Sequence, residues 1–346
     1  MLGGLTARAF LRRHWQKRSL FVRRAIPGFA GVVDERALAA LAARDEVESR
    51  MVIRRGRRWE TAHGPFPGRA ALRKSNATLL VSGVNLHLRA ADALLRRFGF
   101  IPQARLDDVM VSYATPGGGV GPHVDSYDVF LLQGPGRRLW RVWNPRGKLS
   151  TYEAGPGDLL YLPPGWRHDG VALDPCFTCS IGFRAPRGAE LAAAFLDWLH
   201  RRGLPDAEYR DRRLVPARRP GAIPRPMIAF AQRALARIRW TRAQAAQFLG
   251  EYLSEPKAHV VFRPASMRRA LARSEARLDP KTQLLYSGRD FFINGERLSL
   301  PGRSVKLLRE LADRRSMRGE RLARAPLADL IYRWQRLGYL HLEKPA

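Results

Sequence analysis

Apolar and polar residues follow two different rhythms along this chain, and the switches between them mark out its parts. In ERALAALAARDE, beginning at Glu35, the apolar residues recur at helical spacing, and Asp34 stands where it can cap the first turn. From about 78 to 185 the pattern changes to short apolar runs cut by glycine and proline: DDVMVSYA, YDVFLLQ, RRLWRVW, GDLLYLP and FTCSIGF. Runs of that length bounded by turn residues predict the strands of an all-β sandwich or barrel. Residues 188 to 203 return to helical spacing, with Leu191, Phe195, Trp198 and Leu199 on one face and Gly203 placed to end the helix. A linker follows in which Pro205, Pro216, Pro220, Pro224 and Pro226 lie among arginines. Two further helices are predicted, PMIAFAQRALARI and RAQAAQFLGEYL, the second opened by a capping box at Thr241 and Gln244.

The tail, roughly 258 to 346, forms a separate unit. FFINGERLSL sets Asn294-Gly295 between two strand-like runs, the signal of a type I′ hairpin. SVKLLRELAD and PLADLIYRWQRLGYL predict amphipathic helices. Helices with a β-hairpin fit a winged-helix domain. At 346 residues the chain implies two or three domains rather than one core, and 45% hydrophobic content excludes wholesale disorder. No apolar run is long enough for a transmembrane helix.

Charge adds a second theme. The net charge is +30, and only 7 of the 61 cationic residues are lysines. Such a field suits a polyanionic partner such as RNA, although arginine spread along the whole chain also fits general use of arginine in place of lysine. The two cysteines, Cys176 and Cys179, exclude a disulfide scaffold. Their C-x-x-C spacing lies in the strand-like CFTCSIGF, not at a helix N-terminus, so inert packing is expected. The first 29 residues are arginine-rich and free of acids, as a transit peptide would be, but aromatic residues run through them and they read as the start of the folded protein.

Two segments carry the chemistry. PGGGVGPHVDSYDVFLLQGPGRRLW contains His123-x-Asp125, and alternate residues of a strand project to the same side. GDLLYLPPGWRHDG sets Gly157, Pro163, Gly165 and His168 at the spacing of the second cupin motif. Two imidazoles and one carboxylate occupy one face of an octahedron and leave the other open, the ligand set of non-haem Fe(II) oxygenases. Zinc would accept the same ligands in a tetrahedral site. Arg138 separates the two readings, because an Fe(II)/2-oxoglutarate enzyme needs a cation for the far carboxylate of its cosubstrate, and a guanidinium grips a carboxylate with parallel hydrogen bonds. The remaining histidines, including His14, His63, His87, His200, His259 and His341, have no partner at ligand spacing.

On these residues the chain resembles the JmjC-type ribosomal oxygenases, cupin-fold 2-oxoglutarate-dependent hydroxylases. RRHWQKR from Arg12, HGPF from His63, PGGGVGPHVDSYDVFLLQGPGRR, LYLPPGWRH and SIGFRAP all look like the bacterial branch. The resemblance implies an α+β fold: a double-stranded β-helix (JmjC/cupin jelly roll) over 1–187, a helical dimerisation region over 188–257 and a C-terminal winged-helix domain over 258–346. It implies Fe(II) held by His123, Asp125 and His168, with 2-oxoglutarate and O2 as cosubstrates and Arg138 and Thr178 on the 2-oxoglutarate. Tyr113 and Ser180 are similar to positions that line the substrate pocket. Tyr113, Asp107 and Asp108 are candidates to clamp an arginine. The implied activity is Cβ hydroxylation of an arginine on large-subunit ribosomal protein sixteen, by a cytoplasmic homodimer; the basic surface fits contact with ribosomal RNA, but charge does not select between the free substrate protein and the ribosome. One departure is the segment NPRGKLSTYEAGP, between Trp143 and Gly157, which is shorter than that branch leads one to expect. Histidyl hydroxylation and lysine demethylation would use the same metal chemistry. A cupin sensor joined to an operator-binding winged helix is the non-enzymatic alternative, and it would need no open iron position.

Overall fold

The apolar runs between 78 and 185 become strands of two facing antiparallel sheets in the computed structural model. It describes the chain except for residues 213, 265–269, 301, 324, 325 and 346 and the side chains of 70 and 71. The larger sheet has eight strands, in the order Leu20–Val22, Leu159–Leu162, Val129–Gln133, Cys176–Phe183, Leu106–Ala114, Ala77–Val81, Ser49–Arg55 and Arg58–His63. The smaller has four, His123–Val124, Arg167–Ala172, Arg138–Trp143 and Leu149–Ala154. The short segment after Trp143 is the turn and edge strand that complete this second sheet.

Strand parity decides what each face does. On the large sheet Val109, Val111, Tyr113, Phe130, Leu132, Tyr161, Cys179, Ile181 and Phe183 point outward into the main core. That core is closed by the N-terminal helix Ala7–Arg13: Phe10 is fully buried, with its ring 5.0 Å from Tyr161 and 5.4 Å from Phe130. The basic N-terminal segment is therefore part of the barrel. The alternate residues Val129, Leu131, Leu160 and Leu162 point inward and meet Trp140 and Val142 of the small sheet. Both cysteines are buried, and burial pushes the Cys179 thiol up to about 12, which leaves it an inert packing group.

Helices Gly188–His200, Arg225–Ala236 and Arg242–Ser254 follow. The first and third pack through Phe195, Trp198 and Phe248, and Trp198 Nε1 donates to Glu251 at 2.6 Å. The middle helix buries none of its residues. The C-terminal unit has two three-stranded sheets and helices around its own core, including Leu278, Phe291, Leu308, Ile331 and Trp334. Its hairpin turns at Asn294 and Gly295, with φ of 49° and 88° as a type I′ turn requires. One expectation needs correction here: PLADLIYRWQRLGYL is not helical throughout. The helix ends at Arg336, Gly338 turns left-handed at φ 75°, and Leu340–Glu343 is a strand. A side chain at Gly338 would meet the Arg263 carbonyl at 2.3 Å.

The parts touch directly. Arg89 pairs with Glu343, Gln103 donates to the Ala312 carbonyl at 2.9 Å, and Arg184 donates to the Leu253 carbonyl at 2.7 Å. Among the described residues no helix is long and apolar enough to cross a membrane.

Candidate metal centre and its cavity

Two loops and one strand pairing bring the candidate ligands together. His123 and His168 are direct cross-strand partners in the small sheet, and their rings lie 4.2 Å apart. Asp125 follows one residue beyond the short strand. It lies on the His123 side, while Val124 between them is 54% exposed. The glycine-rich loop before His123 is shaped by Trp59 of the neighbouring sheet edge. A Cβ at Gly121, whose φ is +80°, would sit 2.8 Å from the indole.

The ligand atoms of His123, Asp125 and His168 all lie within 4.8 Å of one another. His168 Nε2 is 3.6 Å, and His123 Nε2 3.9 Å, from a carboxylate oxygen of Asp125. Each ring is held from behind by a backbone carbonyl. His123 Nδ1 donates to Gly121 at 2.9 Å, and His168 Nδ1 donates to Trp166 at 3.0 Å. These bonds leave both Nε2 lone pairs facing the shared space, the tautomer a metal requires. Burial, then the neighbouring His123, pushes the His168 pKa down, which keeps the ring neutral and able to ligate.

The trio opens into a cavity of about 450 Å³ between the sheets. Arg138 enters this cavity from the small sheet and is 3% exposed. Its Nε and one terminal nitrogen are buried and have no hydrogen-bond partner. A buried guanidinium with unused donors is costly unless an anion completes it. The site therefore has a trio that could hold a metal ion and, opening into the same cavity, a cation that lacks its anion. That is the donor set required by a ligand that chelates the metal at one end and carries a carboxylate at the other.

Proteins of known sequence and structure resemble this chain. A sequence model of the JmjC domain matches residues 93–154 and 149–191, and one of the ROXA-like winged helix matches 237–341. The ribosomal protein uL16 3-hydroxylase of Escherichia coli is 36% identical over 321 residues, 85% of this chain and 86% of that protein. Human ribosomal oxygenase 1 is 29% identical over 197 residues, covering 48% of this chain and 30% of its own. The structure of YcfD, a ribosomal oxygenase from E. coli in complex with cobalt and 2-oxoglutarate, superposes with a TM-score of 0.83 at 32% identity, covering 98% of this chain and 99% of that one.

The chain belongs to the JmjC-type ribosomal oxygenase family. It is accordingly a 2-oxoglutarate-dependent oxygenase that works with iron(II), on the jelly-roll fold of that family with an added winged helix.

The other expected residues of this ribosomal oxygenase divide between the cavity and the core. Thr178 and Ser180 lie on the inward face of Cys176–Phe183 and line the cavity. Thr178 is 1% exposed, and its hydroxyl donates to Gln133 Oε1 at 3.2 Å. Asp107 and Asp108 also line the cavity. Tyr113 does not, and the expectation that it contacts substrate is corrected. It shares the outward parity of Val109 and Val111, pairs in register with Phe177, and packs against that ring at a tilt of 57°, centroids 5.0 Å apart, within the main core. The inward positions of the same strand are Asp108, Met110 and Ser112. The sequence did not single out Glu48, Arg50, Tyr127 or Lys257, all of which line the cavity. Tyr127 carried a usable signal, since it lies two residues beyond Asp125 on the same chain direction. Lys257 carried none.

Proposed function

We propose that this oxygenase hydroxylates Cβ of an arginine side chain in a uL16-type protein of the large ribosomal subunit, in the cytoplasm. The name of the E. coli relative supports the target protein, and the acidic end of the cavity supports arginine. The single observation that carries the reading is the position of Asp108. Its Oδ1 faces the space above Gly182, where a side chain would lie 3.5 Å from that oxygen and 3.9 Å from the Tyr127 ring. Because residue 182 is glycine, the space is free. A guanidinium there would pair with a half-buried carboxylate and lie against an aromatic ring, the two contacts that suit its planar, delocalised charge.

His123, Asp125 and His168 would hold the iron, and Arg138 would bind the far carboxylate of 2-oxoglutarate. Bound there, iron with its cosubstrate and O2 supplies the oxidising power to replace an unactivated C–H with C–OH. The chain's own contribution is position and shelter. The carbonyls behind the two histidines fix their rings. Thr178 stands on the inner wall with its hydroxyl held by Gln133, and Leu131, Val129 and Trp140 supply apolar wall to the same cavity. Asp108 and Tyr127 orient the target side chain.

The test is intact-mass analysis of large-subunit ribosomal proteins treated with enzyme, iron(II) and 2-oxoglutarate. Gain of one oxygen on a uL16-type protein, placed on an arginine by fragmentation, supports the reading. Oxygen on a histidine, or loss of methyl groups from lysine, overturns it.

The assembly is part of the same proposal. Helix Arg225–Ala236 presents Met227, Ile228 and Leu235 to solvent, the last 68% exposed, and exposed Trp240 follows it. An amphipathic helix with apolar side chains exposed in this way suits pairing with a second copy. Light scattering should give a dimer mass for the wild type and a monomer for Ile228→Glu/Leu235→Glu; a monomeric wild type would contradict it. The excess of cations is proposed to dock on ribosomal RNA, with binding that weakens steeply as salt rises. Absence of RNA binding at low salt would remove that element.

A further inference from the structure

One cation already stands at the acidic end of the cavity. Lys257 lies just beyond the helix Arg242–Ser254, so it reaches the oxygenase cavity from outside the jelly roll. Its Nζ is 3.1 Å from Asp107 Oδ1 and 3.9 Å from Asp108 Oδ2. The two carboxylates differ in their other partners. Asp107 faces Arg184 Nε at 3.5 Å. Asp108 Oδ2 accepts the Gly83 N–H at 2.8 Å, and its Oδ1 faces the space above Gly182.

We propose that Lys257 is a positioning residue for substrate recognition: it occupies Asp107 and keeps Asp108 ionised, with one oxygen left for one incoming guanidinium. This rests on the arginine reading above. Adjacent carboxylates in a sheltered site repel each other, and without a cation one of them takes up a proton and loses its hold on a cationic ligand. The charged groups acting on Asp108 are Lys257, Asp107 and Glu48, with Arg184 acting through Asp107. Tyr127 and Arg50 share the cavity, and Asp125 lies at its metal end. Burial pushes the Asp108 pKa up and Lys257 pulls it back, in keeping with that balance. A compact ammonium suits the task, because a three-donor point charge can lean on two carboxylates without filling the cavity with a planar fork.

The experiment follows the Asp108 carboxyl carbon by NMR across pH in full-length, metal-free protein labelled on aspartate, with the signal assigned by Asp108→Asn. In Lys257→Met, and in Lys257→Gln as an independent replacement, the midpoint should rise by about one pH unit or more. Lys257→Arg should stay near the wild type, and Asp107→Asn/Lys257→Met should return toward it. In turnover of the target protein, the acid limb of kcat/KM should move up with the midpoint in Lys257→Met, while kcat at saturation holds. An unchanged midpoint in a folded Lys257 variant would overturn the proposal. A midpoint that moves while the acid limb stays would overturn the arginine reading and leave the hold of Lys257 on Asp108 standing.

Discussion

Replacing Arg138 by methionine separates cosubstrate binding from folding, because the structure predicts opposite effects on the two. Arg138 is 3% exposed, and two of its nitrogens are buried without a partner. The Trp140 ring lies 5.6 Å from the guanidinium carbon. Removing one side of a buried, hydrogen-bonded charge pair costs roughly 3–5 kcal/mol, and here the other side is the ligand's carboxylate, so the loss falls on binding. At 1.4 kcal/mol per tenfold, the KM for 2-oxoglutarate should rise by about 10² to 4 × 10³. The ligand-free fold should not suffer, since an apolar side chain of similar length replaces a buried cation that lacks its anion, a change that is commonly neutral or stabilising. Succinate production against 2-oxoglutarate concentration measures the first effect. Thermal unfolding with and without 2-oxoglutarate measures the second. Ligand-free Arg138→Met should melt at or above the wild-type temperature and gain little from added 2-oxoglutarate. A KM within threefold of wild type would refute the reasoning. So would a ligand-free melting point several degrees lower, because the guanidinium would then be holding the fold.

Two further outcomes follow from the geometry. Gly170 lies opposite Trp140, and a Cβ there would sit 2.5 Å from the indole, which packs 6.0 Å from the His168 ring. Gly170→Ala should cost about 1–3 kcal/mol of stability and weaken metal binding, measured by thermal unfolding and metal titration; wild-type values for both would contradict the packing. Burial holds the pKa of His87 down at about 4 from 6.5. The folded chain therefore carries it neutral, and the unfolded chain takes up the proton first. Its contribution is complete above pH 6.5 and lost as pH falls toward 4, so the wild type should lose more stability on acidification than His87→Gln. Parallel melting curves across that window would refute it.

Much of the fold is legible in the sequence because its signals are local. The glycine and proline punctuation of the strands, the Thr241 capping box and the Asn294-Gly295 turn each act over a few residues, and each forms where expected. The H-x-D spacing and the turn before His168 likewise describe local geometry. What they do not contain is the cross-strand register that sets His123 against His168, which the sheet supplies. Tyr113 shows how parity is missed when residue type is read alone. In DDVMVSYA the apolar Val109 and Val111 already define the core face, and Tyr113 continues it, whereas Asp108, Met110 and Ser112 take the cavity. Gly338, left-handed just past the last helix, is the stop signal in PLADLIYRWQRLGYL. Lys257 is different in kind. It meets Asp107 only because the C-terminal parts fold back on the barrel, and no pattern around it announces that contact.

The central claim is that His123, Asp125 and His168 hold one iron. Anaerobic calorimetric titration of iron(II) into the wild type, His123→Ala, Asp125→Ala and His168→Ala tests it most directly. The account predicts one ion per chain in the wild type and a loss of affinity in every variant, with succinate production lost in parallel. Wild-type binding by any one of the three would contradict it.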